Sequence, residues 1–252
     1  MESNYHTHTT FCDGADSPEE LVAEAIRLGC PEIGFSGHSY LEEDSGCMSK
    51  QGTQEYCREI RRLREKYRDQ ITIRLGIEQD IFSEVDRQDF DFIIGAVHYV
   101  EKNGKKYAVD ESREGFLFLL EEIYSGDAYA LAEDYYALVS QVYQRTHCDI
   151  IAHFDLITKY NENGCYFETS HPRYRSAAEG ALEALLSSPC LLEVNTGAMA
   201  RGYRSEPYPE KRLRDRWLAS GKELIFSSDC HDKKNLLFGF DRLKGLKHRD
   251  RL

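Results

Sequence analysis

Short apolar runs alternate with amphipathic stretches along nearly the whole of the 252-residue chain. Ile71-Thr72-Ile73-Arg74-Leu75-Gly76-Ile77 and Phe92-Ile93-Ile94-Gly95-Ala96-Val97 carry the strongest strand signals. The first is rich in β-branched residues, and the second is a continuous apolar run of the kind buried on both faces. Glu32-Ile33-Gly34-Phe35-Ser36, Asp149-Ile150-Ile151-Ala152, Leu191-Leu192-Glu193-Val194-Asn195 and the run from Glu223 to Ser228 read as further strands. With the entering segment Asn4-Tyr5-His6-Thr7-His8 they make seven.

Helical stretches fall between these runs. Ser17-Pro18-Glu19-Glu20 has the form of a helix start, with Ser at the cap, Pro next and Glu three positions on; Gly29 is the stop. A charged amphipathic helix is expected over 53–67, and residues 112–147 should be helical in two pieces broken near Ser125-Gly126-Asp127. One more helix is expected over 173–186, and another runs from Pro209 to Ser220 with Gly221 as its stop. The basic tail from Lys244 is expected to be loosely held.

Alternation of strand and helix without repeats or a linker predicts an α/β fold, a single domain over 1–252 with a parallel sheet closed or wound and helices outside. In a barrel the C-terminal ends of the strands gather on one face, where active sites sit. Here those ends carry His6 and His8, His38, Glu78, His98, His153, and Asp229 with His231. His6 and His8 share one side of an extended segment. Nitrogen and oxygen donors in this number suffice for two or three divalent ions, and Zn, Mn and Fe all fit such a set. Closely spaced ions clamp the attacking and leaving oxygens of a phosphoryl displacement and generate hydroxide near neutral pH. Metal-assisted hydrolysis of phosphate esters is therefore the favoured chemistry.

Composition narrows the setting. Hydrophobic content of 41% and charged content of 30% describe a folded globular protein. No apolar run is long enough to span a membrane, and the N-terminus has no secretory character, so a cytoplasmic location is expected. A net charge of −12 disfavours a nucleic-acid partner. Eight cysteines without C-x-x-C spacing read as reduced thiols, with Cys12 and Cys230 as minor metal candidates.

The motifs His6-Thr7-His8-Thr9, Phe35-Ser36-Gly37-His38, Gly76-Ile77-Glu78, Ala96-Val97-His98, Ile151-Ala152-His153 and Ser228-Asp229-Cys230-His231 occur in the order of a known family. The chain resembles the polymerase-and-histidinol-phosphatase (PHP) superfamily, specifically its histidinol-phosphatase branch. That resemblance implies a distorted seven-stranded (β/α) barrel, TIM-barrel-like, with a trinuclear metal centre at the C-terminal face of the strands. It implies hydrolysis of L-histidinol phosphate, a small phosphorylated substrate, to L-histidinol and phosphate in histidine biosynthesis, by attack of a metal-bound hydroxide. The implied metal ligands are His6, His8, His38, Glu78, His98, His153, Asp229 and His231. Asp13 stands where many members have a histidine, and either ligation or capping of the following turn is open to it.

A phosphatase also needs cations for the non-bridging phosphate oxygens. The loop Asn195 to Arg204 resembles the branch's substrate loop, which makes Arg201 the first choice for a phosphate contact and Lys159 the second. Arg204, Tyr203 and Tyr99 are further pocket candidates. Asp229, His231 and Arg201 form the expected catalytic set, with Asp229 or a metal-bound water as proton donor to the leaving group. His147, His171 and His248 read as structural, and the tyrosines of the 129–143 helix as packing. Two rivals stand beside this reading: a phosphoesterase of the same fold acting on nucleotides or oligonucleotide ends, and a non-catalytic metal-binding barrel. Monomer and homodimer are both open.

Overall fold

Ser17 starts the first helix as expected. In the computed structural model, which describes residues 2–252, its side chain accepts from the Glu20 amide and the Glu20 carboxylate accepts from the Ser17 amide. The helix runs over Pro18–Leu28 (α1) and ends at Gly29, whose φ of +73° suits a residue without Cβ. In chain order there follow β1 (Glu32–Phe35), α2 (Lys50–Lys66), β2 (Thr72–Asp80), β3 (Phe92–Ala96), β4 (Tyr99–Lys102) and β5 (Lys105–Ala108). Then come α3 (Arg113–Phe118), α4 (Ala128–Val139), α5 (Val142–Thr146), β6 (Ile150–Ile151), α6 (Pro172–Leu185), β7 (Leu191–Asn195), α7 (Gly197–Ala200), α8 (Lys211–Ala219) and β8 (Leu224–Ser227).

The main sheet has six parallel strands rather than seven, in the order β1-β2-β3-β6-β7-β8. The entering segment makes isolated bridges instead of a ladder, pairing Asn4 with Ile33 and Thr7 with Cys230. Gly34 and Ser36 donate their amides to the carbonyls of Asn4 and Thr7, and His8 and Cys230 donate to Cys230 and His6 on the other side. Residues 4–8 thereby link β1 to the chain leaving β8, the two edges of the sheet. Their backbone is satisfied from both sides without regular strand geometry.

Alternate residues of β3 face opposite ways. Phe92, Ile94 and Ala96 form a small cluster with Tyr5, Ile150, Ala152, Leu191 and Ile225, while Ile93 joins the larger core under the helices. Phe92 fills its place because Gly76 has no side chain: a Cβ there would come within 2.3 Å of the Phe92 ring.

Several expectations are revised. The helix placed at 53–67 begins at Lys50, since Ser49 caps it by accepting from the Gly52 amide at 2.9 Å. Residues 112–147 break twice, because Ser140 and Gln141 turn the chain between α4 and α5. The helix expected from Pro209 begins at Lys211, because Tyr208 is held beside Asn195 by two backbone hydrogen bonds of 2.9 Å. The hairpin β4–β5 was not anticipated; its turn is Asn103-Gly104, both at positive φ, the pairing that two-residue hairpins favour. Nor is the tail loose. His248 stacks on Phe226 with ring centroids 3.8 Å apart, and the Arg249 amide donates to the Leu224 carbonyl, fixing the tail at the N-terminal end of β8.

Candidate metal centre

The parallel sheet brings the ends of its strands together around one cavity of about 900 Å³, whose lining includes Asp13, His38, Glu78, His98, His153, Asp229 and His231. His6 and His8 are buried beneath it. Glu78 is the hub. Its Oε1 lies 3.0 Å from His153 Nε2, 3.3 Å from His6 Nε2 and 3.4 Å from His98 Nε2; its Oε2 lies 2.9 Å from His38 Nδ1 and 3.5 Å from His8 Nε2. Asp229 Oδ1 is 3.5 Å from His6 Nε2 and 3.3 Å from His8 Nε2.

Donor atoms within 4.8 Å of one another form four overlapping groups here: His8, Asp13, His38 and His231; His6, Glu78 and His153; His6, His8 and Asp229; His38, Glu78 and His98. His6 Nε2, His8 Nε2 and Glu78 Oε2 are buried without a hydrogen-bond partner among the described residues. Buried polar atoms are normally satisfied. Unsatisfied lone pairs aimed into a shared space of mixed N and O donors fit divalent ions.

The electrostatics agree. Burial alone would depress the imidazoles, yet Glu193, Glu78 and Asp229 raise His6 to about 10, and Glu78 and Asp13 raise His38 to about 9. Burial would raise Glu78, but His6, His38 and His98 hold it well below the usual carboxylate range. Such a negative field calls for positive charge, which bound cations would supply in place of protons.

Asp13 comes in from the loop before α1, with Oδ2 3.1 Å from His231 Nε2 and Oδ1 3.3 Å from His8 Nδ1. Asp229 adopts φ +47°, a left-handed conformation rare for a non-glycine residue and common at functional sites. Gly197 lets the following loop close on it, since a Cβ there would sit 2.7 Å from that of Asp229. Arg201 then donates through Nη2 to Asp229 Oδ2 at 3.0 Å and through Nη1 to the Asp229 carbonyl at 3.1 Å. Against the effect of burial, Arg201, His6 and His8 keep Asp229 well below the usual carboxylate range.

Lys159 lines the same cavity, with Nζ held by Asp110; Tyr203 and Tyr99 line it too. Arg204 does not: it is tied to the Thr158 carbonyl at 2.9 Å and to Glu162 at 3.4 Å. Cys12 Sγ is 3.6 Å from His8 Nδ1, whereas Cys230 Sγ turns to the Asp232 carbonyl.

The chain belongs to the PHP-domain family. The PHP-domain model matches residues 4–197, which include every strand end just described except that carrying Asp229 and His231. This PHP domain is 23% identical to the histidinol-phosphatase of Bacillus subtilis, over 94% of the chain and 96% of that protein. It is 27% identical to that of Lactococcus lactis, over 92% and 84%. Among solved structures, a Listeria monocytogenes protein assigned as histidinol phosphatase hisK shares the fold with a TM-score of 0.82 at 20% identity, covering 96% of this chain and 99% of that one. The Lactococcus lactis histidinol phosphate phosphatase, solved with zinc, L-histidinol and phosphate, gives 0.67 at 24% identity, covering 92% and 87%.

Two carboxylates escaped the sequence reading. Glu193 meets His6 Nδ1 at 2.5 Å, and Asp80 meets His98 Nδ1 at 3.2 Å. Carboxylates behind ligand imidazoles fix ring orientation and tautomer. Glu193 sits inside an apolar strand, Leu191-Leu192-Glu193-Val194, where an ionisable residue is itself a signal. Asp80 shares the face of Glu78 by the two-residue strand period.

Proposed function

We propose that this protein is a metal-dependent phosphomonoesterase that hydrolyses L-histidinol phosphate to L-histidinol and phosphate. The observation that carries the reading is the overlap of four donor groups on Glu78, His6, His8 and His38, beside a guanidinium that opens on the same cavity. Curated relatives of this activity align over more than nine-tenths of the chain.

His6, His8, Asp13, His38, Glu78, His98, His153, Asp229 and His231 would hold two or three divalent ions, and we favour three, at the C-terminal face of a barrel that residues 4–8 complete as a seventh stave. Bound there, such ions would polarise the phosphoryl group and lower the pKa of a water. The chain's own residues do the rest. Arg201, whose Nη atoms both donate to Asp229, brings its remaining N–H groups and its charge to the non-bridging oxygens, and Lys159, lining the same cavity, adds a point charge. Glu78 and Asp229, kept ionised, hold the surrounding imidazoles in place. Asp80 and Glu193 fix two of those rings from behind.

Phosphate release from L-histidinol phosphate, p-nitrophenyl phosphate and a nucleoside monophosphate, compared on one metal-loaded preparation, tests the reading. A preference of about a hundredfold in kcat/KM, roughly 3 kcal/mol of differential transition-state binding, is expected for L-histidinol phosphate. Comparable slow rates on all three would leave the phosphatase chemistry and remove the histidinol assignment. A preference for the nucleotide would move the protein to the nucleotide-directed reading.

A further inference from the structure

β7 is the strand of the sheet whose end carries none of the expected ligands; it finishes at Asn195. The two-residue strand period puts Leu191, Glu193 and Asn195 on one face, and Leu191 belongs to the small inner cluster. Glu193 is therefore a carboxylate inside the sheet's concavity, and it is fully buried.

Four donors converge on it. Oε1 accepts from His6 Nδ1 and from Ser227 Oγ, each at 2.5 Å. Oε2 accepts from the His153 backbone amide at 2.7 Å and from Asn195 Nδ2 at 2.9 Å. A carboxylate offers about four lone-pair positions, and all are taken. Glu193 has none left for an ion and acts only through its partners. At His6 it places the proton on Nδ1, so the Nε2 lone pair is free, and Nε2 is the buried atom without a hydrogen-bond partner, 3.3 Å from Glu78 Oε1. At His153 it pins the backbone from which the side chain reaches Glu78, with Nε2 3.0 Å from Oε1. His8, Asp13, His38 and His231 make no contact with it in the hydrogen-bond network.

We propose that Glu193 is a positioning residue for one ion of the centre: it holds His6 and His153 in register with Glu78, while an ion at His8, Asp13, His38 and His231 does not depend on it. The inference rests on the metal-binding reading of the site and not on the identity of the substrate.

Stepwise zinc affinities, from titration of the full-length protein against a chromogenic chelator, and bound zinc per chain by mass spectrometry decide the matter. Glu193→Gln keeps the shape but turns an amide group toward donors. It should weaken the binding that uses His6 by about tenfold to a hundredfold, the usual effect of losing such a partner, and leave the step assigned to His8, Asp13, His38 and His231 unchanged. kcat should fall while KM stays near the wild-type value. Glu193→Asp keeps the charge one methylene further back and should recover part of that loss, which mere filling of space would not explain. Should Glu193→Gln fail to fold, Glu193→Asp carries the test alone, through one selectively weakened step. Wild-type affinity at every step in the variant that folds overturns the proposal, as does equal weakening of all steps. A wild type that binds zinc and hydrolyses no phosphomonoester would sink the proposed function and leave this titration intact.

Discussion

Lys159 Nζ donates to the Asp110 carbonyl at 2.6 Å and lies 3.2 Å from Asp110 Oδ2, so the second cation proposed for the phosphate is already committed to an acidic partner. It also sits over the Tyr203 ring, 5.3 Å from the centroid, and both line the cavity. A phosphate that recruits it must compete with Asp110. Lys159→Ala is expected to lower kcat/KM by about tenfold to a hundredfold, matching the ~1.5–3 kcal/mol of a charge-assisted hydrogen bond. The loss should appear mainly in KM and in the inhibition constant of inorganic phosphate, because the contact is available to bound phosphate before and during reaction. Unchanged values of both would make Lys159 a strut between two loops.

Arg201 differs, because its two nitrogens reach Asp229 at the carboxylate and at the carbonyl in one planar grip. An ammonium cannot reproduce that fork. Arg201→Lys should keep a melting temperature near the wild type, since a positive charge still faces Asp229, yet lose about a hundredfold in kcat/KM. Arg201→Ala leaves Asp229 without its cation. Breaking a buried pair costs about 3–5 kcal/mol; with Arg201 30% exposed, we expect about 2 kcal/mol, or roughly 4–8 °C in melting temperature. Equal activity of the two variants, measured at equal metal loading, would remove the bidentate argument.

Why the strand ends could be read from sequence is physical. β2 and β3 are long or continuously apolar, and the residue that matters lies within two positions of each C-terminal end, Glu78 inside β2 and His98 just past β3. The parallel arrangement then gathers those ends whatever the loops do. Glu193 was passed over because its strand was read for apolar content, whereas the two-residue period turns that one charge inward beside Leu191. Asn103-Gly104 went unread although it lies between Tyr99-Val100-Glu101-Lys102 and Lys105-Lys106-Tyr107-Ala108, whose polar side chains hide a hairpin that apolar periodicity cannot detect. Sequence does not carry the pairing geometry of the entering segment: residues 4–8 bond to both neighbours but keep to isolated bridges, beside a regular sheet of six strands.

Away from the cavity, Glu19 joins α1 to α2. It accepts from Lys66, from Tyr67 Oη at 2.8 Å and from Arg62 Nη2 at 3.0 Å, and Lys66 first, then Tyr67 and Arg62, lower its pKa to about 2. A depressed carboxylate binds its proton less readily in the folded state than in the unfolded chain, where the value is about 4.3. Its stabilisation is therefore complete above about pH 4.3 and disappears as pH falls through about 2. Glu19→Gln should melt below the wild type at pH 7, with the gap closing on acidification across that window and shrinking in high salt. Subtracting the two melting curves cancels the contribution of the metal centre, which both proteins share. A gap that stays constant down to pH 2 would mean that the charge of Glu19 is not what joins the helices.

Asp13 is the most exposed donor of its group, 38% accessible at the side chain, and it approaches His8 and His231 from the loop before α1 rather than from a strand end. Loop placement makes it the donor most easily lost without disturbing the sheet. If it ligates, Asp13→Ala should weaken one binding step by at least about tenfold to a hundredfold while the ion shared by His6, Glu78 and His153 stays in place. Asp13→His would return a donor at the same point without the negative charge, and should restore metal content and part of the activity. If Asp13 serves only the turn, where the Gly14 amide already closes on the Thr9 carbonyl at 3.0 Å, Asp13→Ala should lower the melting temperature slightly and leave every zinc affinity unchanged. The two roles thus separate in one titration, because a turn is felt by the whole fold and a ligand by one ion.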